Sequence, residues 1–536
     1  MSTVNNNTYG SIHSSSSPPF VKSHQLQHVL TNAERDLLQA DRPGYGTRTK
    51  IEVGFNLVNA TVGAGIIGLP FAIARAGFFV GIFVSILVAA LAQMGLFMLI
   101  VAGQRVQIYK LAMLVEYLLG RWGYHFTNFV ICVQAGGAAV SYFILLGDSL
   151  PMLLERYLPD YPLLASRTFI LIFVGTVCIF PLAIPRSIGS LARWSIVSVA
   201  CLPVILLMIL VRAPAYIPKD QTVPIEWAGD DIFGALGIMA FAFTCHQVAL
   251  SNFLTLRNQT TSSWRFTTIL STGISWVISM TFAVVGYLCF GSNVQSNLFN
   301  NFASDDPFIN VGRLALAISM ILTIPTAIFP TREAIQKSLG FETATKQPTN
   351  TQHYAVTIIL FAVVLSLAVS IRSLGTVYSI AGGFSATSLA YILPAVCYLT
   401  TRQIYFKNQE KYYSQISPSS SASIPNNIAT VFPTLTGTST LIAVPDESDL
   451  KTAAMAWDET NSIASSSNNK LFEDDLSTVD GDAYLVNEEA TADFARMMDD
   501  KALKPTWWLD IAAGLLIIWG FVVMFCSLSS VFKSQH

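Results

Sequence analysis

The run Asn59-Ala60-Thr61-Val62-Gly63-Ala64-Gly65-Ile66-Ile67-Gly68-Leu69-Pro70 sits inside an apolar stretch, Val53 to Ala74, that contains no charge. The stretch is long enough to cross a bilayer as a helix, yet the glycines and the proline at its centre are poor helix formers. In hydrocarbon, an interrupted helix leaves backbone N–H and C=O groups unpaired, and each costs several kcal/mol. A break persists where protein or a bound polar ligand satisfies those groups. The pattern therefore predicts a broken span and a binding site near the membrane midplane.

Composition agrees with a membrane chain. Only 12% of the 536 residues are charged and 52% are hydrophobic, against roughly a quarter charged in soluble domains. Apolar runs of spanning length fall at Val53–Ala74, Phe78–Ala102, Tyr124–Gly147, Thr168–Ile184, Trp194–Val211, Ile232–Leu256, Phe266–Gly291, Leu314–Thr331, Tyr354–Ile371, Leu374–Thr401 and Ile511–Phe532. Alternate loops concentrate Lys and Arg: Arg48 and Lys50, then Arg105, Lys110 and Arg121, then Arg257 and Arg265, then Arg332 and Lys337, then Arg402 and Lys407. The positive-inside rule puts those loops and the N-terminus in the cytosol and the C-terminus on the other side. No cleavable signal peptide is expected, because the first fifty residues are polar. The chain then divides into a disordered cytosolic tail (1–50), a ten-helix core (51–401), an acidic, Ser-rich cytosolic loop (402–506) and a last span with the C-terminus (507–536). Lys110 to Gly120 is too short to span and reads as an amphipathic surface helix. The pairs Gly136-Gly137 and Gly382-Gly383 read as sites of close helix packing.

The sixth span holds Phe241, Ala242, Phe243, Thr244, Cys245, His246 and Gln247 near its middle. His246 is the one ionisable group deep in a span apart from thiols and phenols. It is either a proton-sensitive site group or a histidine satisfied by a backbone carbonyl. The first and sixth spans are five apart, as in carriers built from inverted repeats. In the eighth span, Pro325 removes the N–H that would bond the Ile321 carbonyl. That carbonyl and the Thr323 hydroxyl are candidate cation ligands. No carboxylate, Lys or Arg lies deep in a span, which disfavours a buried carboxylate relay and a charged side chain on the cargo. Broken helix ends suit a zwitterion instead: N-termini face its carboxylate and freed carbonyls its ammonium. The seven cysteines form no CxxC or Cys/His cluster, so neither a metal site nor a disulfide framework is expected. No phosphate fingerprint or catalytic constellation appears.

FNLVNATVGAGIIGLPFAIARAG (Phe55 to Gly77), FAFTCHQ (Phe241 to Gln247) and LTIPTAIFPTRE (Leu322 to Glu333) together resemble the amino acid/auxin permease family. The resemblance is to its branch of sodium-coupled neutral amino acid transporters and fungal vacuolar amino acid transporters. It implies an all-α, LeuT-type fold of 5+5 inverted repeats plus an eleventh transmembrane helix, with spans 1 and 6 broken. It also implies that Asn59 and Thr323 match residues of the family's sodium site. One departure is that Gln247 and Val248 follow His246 where animal relatives often have Pro-Glu. A second is the lack of cysteines and glycosylation sequons in the expected exterior loops, which fits an endomembrane carrier better than a glycosylated surface protein.

The expected function is secondary active transport of a small neutral amino acid, coupled to H+ or Na+ by alternating access, with no enzymatic activity and no cofactor. Substrate would lie against Val62, Gly63, Ala64, Gly65 and Ile66, and against Phe241, Ala242, Phe243 and Thr244. Asn59 and Thr323 would hold Na+, and His246 would answer to protons. Expected partners are the amino acid, the lipid bilayer, and a regulatory kinase or sorting proteins at the cytosolic tails, with no nucleic acid. The expected location is a vacuolar or endoplasmic membrane. Alternatives are an amino acid sensor that signals through its tails, or a carrier of another small amine or auxin-like solute.

Overall fold

The computed structural model describes residues 43–63, 65–186, 192–218, 225–343, 346–416 and 503–533. The expected N-terminal tail up to residue 42, the acidic loop from 417 to 502 and Ala64 lie outside the described residues. Among those described, all regular structure is helical apart from one isolated bridge between Arg48 and Leu256.

Among the described residues, nine helices are long and apolar enough to cross a membrane, and the bent pair Lys50–Thr61 and Gly65–Ala76, taken as one span, makes a tenth. The apolar helix Arg167–Ala183 is shorter than these. The first span breaks where the sequence predicts, with a 63° bend between its halves. The sixth starts as Ile232–Ala242, loses helical form over Phe243 to Cys245, and resumes through a tight turn at His246–Val248 into Ala249–Thr255. Several helices begin on a recognisable signal. Thr49 and Glu52 form a reciprocal capping box at Lys50, Asp231 caps the sixth span, and Asp306 with Pro307 opens the eighth.

Contacts between segment ends sort them into two faces. On one, called here the near face, Arg48 pairs with Thr255 and Arg257, Arg105 reaches Tyr398 and Leu503, and Arg332 reaches Ala183. On the far face, Arg75 meets Asp231 and Ser530 meets Asp231, while Arg167 reaches Val369 and Asp148. Successive segments therefore run in alternate directions, as the charge pattern predicts, and Arg167–Ala183 runs from the far face to the near one.

The sixth and tenth spans are the most enclosed, 78% buried each over their apolar windows, and the last is peripheral at 28%. The outward side chains of the last span, such as Leu515, Ile518 and Phe525, are apolar, as a lipid-facing surface requires. The third span extends over Leu111–Tyr157, but Gly120 interrupts it with φ 74° and ψ −170°. An L side chain rarely adopts that backbone. It separates the expected amphipathic segment, whose Leu114 and Val115 are buried while Tyr117 and Leu119 stay exposed. The glycine pairs pack helices as expected: a Cβ on Gly137 would lie 2.9 Å from Ala381 Cβ, and one on Gly383 2.8 Å from Ser527 Oγ.

Two buried arginines fix the faces. Arg313 in the eighth span donates to the carbonyls of Phe299, Phe302 and Ala303 at 2.8–3.0 Å and so holds the far-face loop onto its own helix. Arg105 stacks 4.5 Å over the Tyr398 ring and donates to Leu503 O at 3.1 Å. It thereby ties the start of the last span to the second and tenth.

Candidate ion and substrate site

Helix ends and threonines build the two breaks. In the first span the Thr61 hydroxyl folds back to Leu57 O at 2.8 Å, and the Gly63 N–H turns to Thr61 O at 2.9 Å. In a continuous helix Gly63 would serve Asn59, so the Asn59 carbonyl loses its α-helical donor. In the sixth span Thr244 N–H turns to Phe241 O, and its hydroxyl satisfies Ala240 O at 2.6 Å instead. The breaks touch. A Cβ on Gly65 would lie 2.7 Å from Ala242 Cα, closer than real side chains come, so only glycine lets the half-helices meet there.

A cavity of about 220 Å³ opens beside the first break. Its lining joins Asn59, Ala60, Val62 and Gly63 of the first span to Tyr142 of the third, Ser198 of the fifth, and Ser319, Thr323 and Thr326 of the eighth. Each polar side chain there is neutral. The structure thus brings Asn59 and Thr323 to one cavity, together with Val62 and Gly63. Ile66, Phe241, Ala242, Phe243 and Thr244 are buried and lie outside that lining, while Ala64 is not among the described residues. Gly65 joins the two groups through Ala242. Phe241 packs against Tyr378 with ring centroids 5.0 Å apart.

Ser198 and Tyr142 escape the sequence reading. A lone serine in an apolar run has no periodic signal, and its partners lie 121 and 125 positions away. Ser198 Oγ lies 2.9 Å from Ser319 Oγ and 2.5 Å from Thr323 Oγ1. Thr323 donates to Ser319 O at 2.7 Å and Thr326 to Thr323 O at 2.6 Å, so neither hydroxyl serves the Ile321 carbonyl freed by Pro325. Ile321 itself is not in the lining.

His246 is fully buried, and its Nε2 donates to Ala92 O at 3.0 Å. That bond fixes the neutral tautomer with the lone pair on Nδ1, which has no partner among the described residues. A Cβ on Gly95 would come within 3.0 Å of Nε2, so the second span packs directly over the ring. The imidazole does not reach the cavity lining.

Residues 46–419 match the family model described as transmembrane amino acid transporter protein. The chain belongs to that family. Among relatives of this amino acid transporter, the putative sodium-coupled neutral amino acid transporter 11 of Mus musculus is 30% identical over 381 residues, covering 70% of this chain and 83% of the relative. Vacuolar amino acid transporter 2 of Saccharomyces cerevisiae is 26% identical over 386 residues, covering 67% and 78%. Among solved structures, a Na+-coupled sialic acid symporter aligns with a TM-score of 0.42 at 13% identity, covering 67% of this chain and 80% of that one. A manganese transporter of Eremococcus coleocola aligns with a TM-score of 0.44 at 12% identity, covering 90% and 95%.

Proposed function

We propose that the chain is a secondary active transporter of small neutral amino acids working by alternating access. The observation that carries this reading is the pair of touching helix breaks beside a cavity whose polar lining is wholly neutral. Backbone at Val62, Gly63, Ala64, Gly65 and Ile66, and at Phe241, Ala242, Phe243 and Thr244, is the proposed grip for the substrate's ammonium and carboxylate. Such a site favours a zwitterion, because a net charge would find no counter-ion.

Asn59 and Thr323 are the proposed ligands of a coupling Na+. Carbonyl and hydroxyl oxygens suit a hard cation. For coupling to H+, His246 is the proposed titratable group, with Nδ1 as its open position. The near face is read as cytosolic and the membrane as an endomembrane, on the Lys and Arg bias and the similarity to a vacuolar relative. The helix order is read as 5+5 inverted repeats plus an eleventh span, supported by the breaks at corresponding places in the first and sixth.

The test is uptake of radiolabelled alanine by proteoliposomes, comparing Na+ with choline at two imposed pH gradients. Saturable uptake driven by either gradient is expected, with competition by small neutral amino acids. Binding and flux absent under both gradients would sink the reading.

A further inference from the structure

We infer that Ser198 of the fifth span is a positioning residue for the cation: it holds the Thr323 hydroxyl, whose proton is already given to Ser319 O, so that a lone pair is left toward the cavity, and so sets alkali-cation affinity. This rests on the reading of Asn59 and Thr323 as a cation position. A hydroxyl has one proton and two lone pairs, so the protons of the cluster can be traced. Thr323 Oγ1 donates its proton to Ser319 O at 2.7 Å. Ser198 Oγ also lies 3.3 Å from Ser319 O, but its one proton goes to the much shorter contact, so in the 2.5 Å pair Ser198 is the donor and Thr323 Oγ1 the acceptor. Ser319 Oγ has Ser198 Oγ at 2.9 Å and Ser198 O at 3.3 Å, so its proton also stays within the cluster. All three protons point into the network, and lone pairs are what it has left to offer the cavity. Across the same cavity, the Asn59 carbonyl has lost its helical donor.

A hydroxyl cluster left with acceptors alone and no formal charge attracts a small cation and offers nothing to an anion. The cluster is shielded from water, Ser198 being 8% and Ser319 1% exposed, which strengthens ion–dipole attraction. Without the Ser198 proton, Thr323 Oγ1 loses the partner that fixes its lone pairs. A hydrogen bond at a charged site is worth about 1.5–3 kcal/mol, or roughly ten- to a hundredfold in affinity.

The experiment titrates NaCl against choline chloride on the purified full-length chain, reading thermal stabilisation without amino acid, and measures the Km for alanine at saturating Na+ separately. Wild type is expected to show saturable Na+ stabilisation. Ser198→Ala is expected to raise the half-saturating Na+ at least about tenfold with little change in the alanine Km. Ser198→Thr restores the hydroxyl and is expected to restore affinity. Ser198→Cys is slightly larger than serine and offers a weak sulfur donor and acceptor; it leaves no cavity and is expected to lose Na+ affinity while folding normally, which covers the case of an unstable alanine variant. Wild-type Na+ affinity in Ser198→Ala or Ser198→Cys, with affinity lost in Thr323→Ala, would overturn the inference and leave the cation reading standing. A wild type blind to Na+ would overturn both, and that failure shows before any variant is made.

Discussion

Arg75 Nη2 and Asp231 Oδ2 meet at 2.9 Å, joining the far end of the first broken span to the start of the sixth. Around the pair, Asp231 N–H donates to Arg75 O at 3.0 Å and Gly229 N–H to Ala76 O at 2.9 Å. On the near face the same two spans are joined through backbone: Arg48 N–H donates to Thr255 O at 2.9 Å, and Arg257 N–H to Arg48 O at 2.8 Å. The halves on either side of the breaks are thus fastened in pairs.

The far-face tie should persist in an acidic compartment. Desolvation raises the Asp231 pKa, but bonds from Ser530, Gly234 and Arg75 outweigh it and hold the carboxyl below its ordinary value. A depressed carboxylate stabilises the fold above its unfolded pKa of about 3.9 and loses that stabilisation as pH falls through the folded value. Apparent melting in detergent should therefore show no loss from this group between pH 7 and about 5. Asp231→Asn should melt lower than wild type at pH 7, and the gap should close only in strong acid. A gap that closed near pH 6 would contradict this.

The near-face tie depends on Gly46. A Cβ there would lie 2.6 Å from Leu256 C and 2.7 Å from Leu254 O. Gly46→Val should displace the segment and free the Arg257 amide from Arg48. Hydrogen exchange at Arg257 should accelerate by at least about tenfold, with the buried core unaffected. Unchanged protection at Arg257 would show that the segment tolerates the side chain.

Gly65→Val should abolish alanine uptake while leaving the protein folded. The added atoms would press on Ala242, where overpacking typically costs about 1–3 kcal/mol, and would hold the two breaks apart. Normal uptake by this variant would detach the Gly65–Ala242 contact from function.

Asn59→Ala should raise the half-saturating Na+ for uptake about tenfold or more, since a ligand to a charged species is lost. Thr323→Ala should do the same. The half-saturation curve for Na+ at fixed alanine measures it. Wild-type values in both variants would remove these residues from the cation site.

His246→Gln should separate the two ions. Uptake driven by Na+ at fixed pH should survive, while uptake driven by a pH gradient alone should fall to background. Proton-driven uptake at the wild-type rate would leave His246 with only its packing role against Ala92.

What was legible in the chain was the local physics. Apolar runs located the helices, Lys and Arg sorted their ends, and glycines in Val62–Ile66 marked the first break. The second break was legible only through its polar residues, because Ile232–Ala242 is a good helix up to the point where Thr244 turns its hydroxyl back on Ala240. Thr323 is legible beside the carbonyl freed by Pro325 and Asn59 only through the family resemblance, and the cavity between them depends on how the first and eighth spans pack.

The sequence by itself determined that this is a membrane protein, where its helices run and where one must break, since those follow from hydrocarbon's intolerance of unpaired backbone. Only the tertiary structure decided which neutral groups face one another: that Ser198 meets Thr323 across 125 positions of chain, that Gly65 rests on Ala242, and that His246 turns to Ala92. The physical reason is that a helix repeats its faces every few residues, so its own pattern says which side is apolar but not which neighbour a single hydroxyl or ring will meet.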